Sequence, residues 1–278
     1  MSIETWLEVG PGVFQRRYDP LDVSVGAVVG PHGVTIIDTR NNPVEAREII
    51  RDANRRFGQP IVAAVNTHAH YDHTFGNQVF AQAGIPIYSH YLVPRHFEQY
   101  EKPHLQRIQA QPELEPDKSW AAVELTAPTA LLDSTQRVQL GGREIELVPL
   151  EPGHTDTDLA VFIPDAGVWF LGDIVEESGP PMFGSGSYPL GWPPVLQGLL
   201  ERIQETDAVV PGHGRVVDRE FVAAQAAKFS GLAETLLLAH ASGTRPEVIE
   251  YSQELRNYWP DEFLKSAAED AYRQLTQS

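Results

Sequence analysis

The stretch Asn66-Thr67-His68-Ala69-His70-Tyr71-Asp72-His73-Thr74-Phe75-Gly76-Asn77 contains three imidazoles and one carboxylate within six residues. It follows the apolar run 61–65, which predicts a buried strand that ends where this stretch begins. An open α/β sheet places its chemistry at the C-terminal ends of its strands. Neutral imidazole and carboxylate oxygen are ligands that zinc and similar divalent ions prefer. The stretch therefore predicts a metal site, although histidines also cluster on polar loops that bind nothing.

The composition is that of an ordinary globular protein. The 278 residues suffice for a substantial core, and 42% of them are hydrophobic and 21% charged. The formal net charge of −17 argues against a nucleic-acid partner, because such surfaces are usually basic. The chain has no cysteine, which excludes disulfides, a thiolate nucleophile and Cys-ligated metals. A small-molecule substrate is the partner we expect.

The sequence also allows predictions about the cellular location and the oligomeric state. Residues 1–6 lack the basic start and continuous apolar run of a signal peptide. No apolar run is long enough to span a bilayer. We therefore expect a cytoplasmic protein without membrane association, either a monomer or a homodimer.

The first half of the chain alternates strands and helices. Two apolar runs separated by Pro31-His32-Gly33 predict a β-hairpin, and Asn42-Pro43 predicts the start of a helix that ends at Gly58. The segment 91–118 is polar and interrupted by prolines, and the sequence leaves open whether it covers the site as a lid. His90, His96 and His104 lie in or beside it without ligand-type spacing, so we expect them outside the metal-binding set.

The second half repeats one arrangement, in which an apolar strand precedes a His or an Asp. His154, Asp173 and His213 each follow such a strand. From residue 218 onward the pattern is helical, with breaks at Pro246 and Pro260. We expect these helices to pack on the core, with one packing face formed by Leu232, Leu236, Leu237 and Ala239. The chain is predicted to form a single domain over 1–278, with a catalytic core at about 10–217 and C-terminal helices at about 218–278.

These motifs, taken in order, resemble the metallo-β-lactamase superfamily. They are His68-Ala69-His70-Tyr71-Asp72-His73, then His154 in Pro-Gly-His-Thr, Asp173 in Leu-Gly-Asp and His213 in Pro-Gly-His-Gly, with the strand ending Ile36-Ile37-Asp38-Thr39 upstream. The resemblance implies an α/β fold, a four-layer αβ/βα sandwich with metals at one edge, here with extra C-terminal helices. The alternation of strands and helices is compatible with that fold.

The resemblance also implies a dinuclear site. His68, His70 and His154 would hold one divalent ion, while Asp72, His73 and His213 would hold the second. Asp173 would bridge the two, which offsets the repulsion between two dications. Zinc is the expected metal, with iron or manganese as alternatives. Asp38 would orient a ligating histidine from behind, although a strand-end cap explains it as well.

Hydrolysis is the activity that the resemblance implies. A hydroxide held between the metals would attack an ester, thioester or lactone carbonyl, with Asp72 placing it or moving a proton. A phosphodiesterase of the same fold remains an alternative, as does a member that uses its metal only for structure or ligand sensing.

Differences from individual groups within the family narrow the substrate class that we expect. True lactamases carry Cys or Ser around position 173, so Asp173 argues against antibiotic hydrolysis, and His70 argues against the diiron redox type that has Glu there. The loop 176–192 does not look like that of glyoxalase II, which puts glutathione thioesters in doubt. We expect Tyr71, Phe183, Tyr188 and Trp192 to line the substrate pocket, with Tyr71 or Tyr188 as a donor to an oxyanion, although ordinary packing also accounts for the aromatic residues.

Overall fold

Hydrogen bonds join twelve strands into one sheet in the computed structural model, which describes residues 5–277. The order is β7-β6-β5-β4-β3-β12-β11-β10-β9-β8, and β2 and β1 extend from β3. The strands are β1 Leu7–Gly10, β2 Val13–Tyr18, β3 Val23–Gly30, β4 Gly33–Ile37, β5 Ile61–Val65, β6 Ile87–His90, β7 Ala130–Leu132, β8 Gln136–Leu140, β9 Arg143–Pro149, β10 Leu159–Ile163, β11 Val168–Glu176 and β12 Ala208–His213.

Nine α-helices connect and flank these strands within the described residues. They are α1 Pro43–Phe57, α2 Tyr71–Thr74, α3 Asn77–Gln82, α4 Val93–His96, α5 Lys102–Ala110, α6 Trp192–Leu200, α7 Arg219–Ala241, α8 Gln253–Tyr258 and α9 Asp261–Gln277. A π-helical turn, Phe97–Glu101, joins α4 to α5. The side chain of Asn42 caps α1, and Gly58 ends it with a left-handed φ of 65°, as the sequence predicts.

The sheet is mixed, and its two halves fold over each other. A single antiparallel residue pair, His213 with Val23, joins β12 to β3 and so links the halves. One buried cluster lies between them and contains residues of both, such as Ile37 and Val65 with Val161 and Phe170. Helices α1 and α3 cover one outer face, while α6, α7 and α9 cover the other. The predicted four-layer α/β sandwich with C-terminal helices is confirmed.

Most of the predicted elements are present, with two corrections. Strand β11 does not end at Gly172-Asp173 but continues to Glu176, with every residue buried. In α7, Leu232 and Leu236 are buried as expected, whereas Leu237 is 46% exposed. Leu237 therefore lies off the packing face to which the helical spacing assigns it.

No helix in the range 5–277 is both long and apolar enough to cross a membrane. Residues 1–4, which form most of the segment that lacks a signal-peptide pattern, lie outside the described part of the chain, as does residue 278.

Candidate metal centre

Three strand ends and one loop bring the predicted metal ligands together at one edge of the sandwich. The segment after β5 supplies His68 to His73, the loop between β9 and β10 supplies His154, and β11 and β12 supply the remaining two. The side chains fall into two buried sets, each with ligand atoms within 4.8 Å of one another: His68, His70, His154 and Asp173, and Asp72, His73 and His213. These two groups contain the residues that the resemblance assigns to the two ions. Two further groups of the described chain share members with them, namely His70, His96 and Glu101, and Asp173, Glu176 and His213.

Asp173 lies where the two sets meet. Its Oδ2 is 3.5 Å from Nε2 of His154 and 3.5 Å from Nε2 of His213. Its Oδ1 is 3.1 Å from Nε2 of His73, and that oxygen accepts no hydrogen bond although it is buried. One carboxylate therefore faces histidines of both sets, as a bridging ligand must.

In the second set, two imidazoles point lone pairs at each other. His73 donates its Nδ1 proton to Asp38 Oδ2 at 2.8 Å, and His213 donates its Nδ1 proton to the Leu21 carbonyl oxygen at 2.7 Å. Neutral imidazole carries one proton, so both Nε2 atoms are left as acceptors, only 3.3 Å apart. Two facing lone pairs at this separation repel each other, and either a proton or a metal ion on this side of the rings relieves the repulsion.

The first set has the same construction. His70 donates Nε2–H to the Ser185 carbonyl at 3.0 Å, which leaves Nδ1 as an acceptor 2.9 Å from Nε2 of His154. Thr67 donates its hydroxyl proton to Asp38, so its oxygen accepts from Nδ1 of His68 at 3.2 Å. The inward Nε2 of His68 is buried without a hydrogen-bond partner. His68 and His70 in this set, like His73 and His213 in the other, thus turn an unprotonated nitrogen inward. Such nitrogens are suitable ligands for divalent metal ions.

The pKa values of the two histidines in the second set also favour a positive charge between them. Burial opposes protonation of His73, but the carboxylates of Asp173, Asp38 and Asp72 outweigh it and raise its pKa well above the ordinary value. Burial also opposes protonation of His213, whose pKa is raised because Glu176 and Asp173 lie beside it. Without metal, protons would therefore occupy the position that the cation takes.

In the first set burial dominates. It lowers the pKa of His70 to about 4 and that of His154 to about 3, and it lowers the pKa of His68 as well. These rings stay neutral at pH 7, which is the state that binds metal. Burial works against ionisation of Asp72, but the neighbouring His73 and His213 lower its pKa below the ordinary value, so Asp72 is ionised.

Asp38 supports one histidine of each set. It accepts a hydrogen bond from His73 directly, and it reaches His68 through the hydroxyl of Thr67 at 2.8 Å. It also accepts from the Thr67 backbone nitrogen at 2.8 Å. Its φ of 66° is left-handed, a conformation that aspartate tolerates better than most residues. Asp38 therefore lies behind the ligands, where its hydrogen bonds fix the ring of His73 directly and that of His68 through Thr67.

A cavity of about 520 Å³ opens over the metal ligands, and only one of the four predicted pocket residues lines it. Tyr71 is in its wall. Phe183 and Trp192 pack with Phe229 in the core, and Trp192 donates its indole proton to the Ile174 carbonyl. Tyr188 lines two other cavities. The structure does not bring these three to the substrate cavity, because the loop after Asp173 turns its aromatic residues inward to pack.

Two carboxyl groups in the cavity wall, Glu101 and Glu176, are not among the individual residues predicted for the substrate pocket. Glu101 lies five residues after His96, a spacing that an α-helix places on different faces. The π-turn brings them together, with His96 Nε2 4.0 Å from Glu101 Oε1. Glu176 reaches the cavity because the pairing of β11 with β12 is irregular between Gly172 and Glu176. No periodicity in the sequence signals either event.

The three histidines expected outside the metal-binding set differ in placement. His90 and His104 belong to none of the four groups of His, Asp and Glu in the described chain whose spacing suits a metal. His96 joins His70 and Glu101 in one of them, and its Nδ1 is 3.0 Å from Asp156. His104 lines the cavity, and so does Glu101, so the segment 91–118 does cover part of the site.

Residues 18–213 match the family described as the metallo-beta-lactamase superfamily. That range covers more than half of the chain and ends on His213. The chain belongs to the metallo-β-lactamase superfamily. It is therefore a member of a metallo-hydrolase superfamily with candidate metal-binding histidines and aspartates.

Individual relatives in the superfamily are distant. A metallo-beta-lactamase type 2 from Bacillus cereus is 23% identical over 79% of this chain and 77% of its own length. The alpha subunit of a 2,4-dinitroanisole O-demethylase from Nocardioides sp. is 26% identical over 71% of this chain and 54% of its own. At this level of sequence identity, the relatives agree with membership of the superfamily but do not identify the substrate of this chain.

Solved structures show the same fold. A sec-alkylsulfatase from Pseudomonas sp. superposes with a TM-score of 0.77 at 21% identity, covering 97% of this chain. The chain spans half of the length of that sulfatase. A metallo-beta-lactamase from Pontibacter korlensis superposes with a TM-score of 0.64 at 19% identity, covering 81% of this chain and 98% of its own.

Proposed function

We propose that this protein is a hydrolase that holds two divalent metal ions, zinc in the first instance, and cleaves an ester, thioester or lactone carbonyl. The observation that carries the proposal is the pair of facing acceptors, Nε2 of His73 and Nε2 of His213, at 3.3 Å. A second set of inward nitrogens lies beside it, with Asp173 between the two sets. The two sets lie at the base of an open cavity, so that a substrate can reach them.

Each ligand group has a task in this reaction. His68, His70 and His154 would hold one ion, Asp72, His73 and His213 the other, and Asp173 both. When bound, such ions supply Lewis acidity that activates water and polarises a carbonyl oxygen. Asp38, the Leu21 carbonyl and the Ser185 carbonyl keep the rings oriented, so no reorganisation is needed during turnover.

Proton transfer falls to the chain itself. Asp72 is ionised and lines the cavity, so we assign it the acceptance of the proton that the attacking water releases. Tyr71 lines the same cavity, and burial raises the pKa of its phenol, which keeps the hydroxyl protonated. Lys118 donates to the Tyr71 oxygen at 3.0 Å, which leaves the phenolic proton free for a substrate oxygen.

Metal content and turnover together test the proposal. Elemental analysis of the purified protein should give two ions per chain, and His154→Asn and His213→Asn should each reduce this to one. Either variant should lower kcat/KM for p-nitrophenyl butyrate by about a thousandfold or more. His32→Asn serves as the matched control, because this histidine is exposed in the β3–β4 turn. A metal-loaded protein that turns over no ester, thioester, lactone or bis-p-nitrophenyl phosphate would contradict the enzyme assignment.

A further inference from the structure

The cavity over the metal ligands has an unbalanced charge pattern. Four of its wall residues are acidic, namely Asp72, Glu101, Asp173 and Glu176, and none of the described residues that line it is a lysine or an arginine. Asp72 and Asp173 belong to the two sets assigned to the ions, whereas Glu101 and Glu176 lie outside them, and burial raises the pKa of both glutamates. A substrate that enters therefore meets carboxyl groups and no basic side chain.

Basic side chains near the cavity wall are paired with other groups. Lys118 bonds the Tyr71 hydroxyl at 3.0 Å and lies 3.3 Å from Asp117. On the other side, Arg215 is paired with Glu177 at 2.7 Å, and its side chain is directed to solvent. Arg17 is paired with Asp22. Each of these charges is compensated outside the cavity.

Substrate anions need compensation that this wall does not provide. Proteins bind carboxylate, sulfate and phosphate groups with Arg, Lys or clustered backbone N–H groups, because an unpaired anion loses its hydration on burial. Here the bound ions would be engaged by the reacting carbonyl and by Asp72 and Asp173. A second anionic group on the substrate would find no basic side chain in the described wall to replace the hydration that it loses.

Three apolar side chains of the wall come from separate parts of the chain. Leu21 follows β2, Met182 lies in the loop after β11, and Phe263 lies on α9. Met182 is 57% exposed at the mouth of the cavity. The C-terminal helices thus contribute a substrate wall as well as packing. A cavity of about 520 Å³ accommodates a substrate of moderate size.

We infer that the cavity selects uncharged esters or lactones with an apolar side chain and rejects analogues that carry a carboxylate, sulfate or phosphate group. This inference rests on the proposed hydrolase function and names its substrate class. It separates the chain from the sec-alkylsulfatase that shares its fold, whose name denotes a sulfate ester substrate.

A matched pair of esters tests the selection on the metal-loaded protein. p-Nitrophenyl butyrate and p-nitrophenyl hemisuccinate share the leaving group and chain length, and only the second carries a carboxylate. We expect kcat/KM for the hemisuccinate to be about a hundredfold lower. Met182→Lys, which adds a cation at the mouth, should raise the hemisuccinate-to-butyrate ratio about tenfold. Leu237→Lys, at an exposed site on α7, should leave that ratio unchanged.

Binding without turnover separates this inference from the proposed function. Butyranilide and succinanilic acid are the amide counterparts of the two esters, and calorimetry gives their dissociation constants even if no ester is hydrolysed. Tighter binding of the neutral anilide with no turnover would support the selection and contradict only the hydrolase assignment. Equal binding or equal kcat/KM for the neutral and anionic compounds would overturn the inference, as would a Met182→Lys variant that leaves the ratio unchanged.

Discussion

Gly212 and Asp173 approach so closely that a side chain on Gly212 has no space. A Cβ on Gly212 would overlap Asp173 Oδ1 and lie 2.8 Å from the Asp173 backbone nitrogen. Strands β11 and β12 run in parallel here and present Asp173 and His213 to the same cluster. The glycine therefore matters through this contact and not through an unusual backbone angle, because its φ is not among the positive ones.

The first prediction follows from this contact. Gly212→Ala should displace the Asp173 carboxylate from the position between the two ligand sets and reduce bound metal from two ions per chain to one or none. Elemental analysis after gel filtration measures this. Gly198→Ala is the matched control, since a Cβ there meets nothing within 4 Å on an exposed position of α6. The control should bind metal normally and gain up to about 1 kcal/mol in unfolding free energy.

Asp38→Asn should weaken the binding of both metal ions. Asparagine tolerates the left-handed backbone at this position, but its single acceptor oxygen replaces two that serve His73 and Thr67. Because Thr67 in turn orients His68, we expect metal affinity to fall about 10–100-fold. Competition with a chromophoric chelator reports it, and Asp133→Asn on the exposed surface is the control. An unchanged affinity would mean that Asp38 only caps its strand.

The pH dependence of the metal-free protein provides a third prediction. His70 and His154 have pKa values lowered by burial to about 4 and about 3, so the unfolded chain takes up protons near pH 6.5 while the folded chain does not. Stability from these rings is present above pH 6.5 and is lost as the pH falls. His73 and His213 have raised pKa values despite burial, so their stability is present below pH 6.5 and is lost as the pH rises through those values.

In the chelator-treated protein, the combined contribution of these four rings to stability should therefore be greatest near pH 6.5 and smaller on both sides. Urea unfolding between about pH 4.5 and 9 gives the curve. His154→Asn should flatten its acidic side, whereas metal-loaded protein should keep its stability on the alkaline side, since the metal replaces the protons. A metal-free protein whose stability rises steadily from pH 6.5 to 9 would contradict these signs.

The metal ligands could be predicted from the sequence because strand ends determine their positions. Runs such as 61–65 and 208–210 are apolar and short, and a sheet collects the residues that follow at one edge. Nothing in these runs determines the direction of a loop side chain. Phe183 and Trp192 follow Asp173 in sequence, yet packing against Phe229 directs them into the core.

Local irregularities account for the remaining differences. Glu101 faces His96 only because five residues form a π-turn, and Glu176 lines the cavity only because the β11–β12 pairing shifts its register. Both depend on contacts between elements and not on propensity along the chain. The acidic character of the cavity therefore became visible only with the structure.

The last prediction concerns the loop that holds His154. Asp158 is buried and accepts hydrogen bonds from the backbone nitrogen of Thr155, at 3.0 Å, and from its hydroxyl, at 2.8 Å. Burial raises the pKa of Asp158 to about 8 in spite of these bonds. Thr157 in the same loop accepts from the backbone nitrogen of Ala69, so the loop is tied to the segment that carries His68 and His70.

Asp158→Ala should lower the unfolding free energy by about 1–3 kcal/mol, because Thr155 loses its buried acceptors. It should also release the ion held by His154, while the set of Asp72, His73 and His213 keeps its own, so that one ion per chain remains. Thr155→Ala should act through the same bonds, and the double variant should be less destabilised than the sum of the two single ones. Strict additivity, or loss of both ions together, would show that the loop does not hold His154 through this pair.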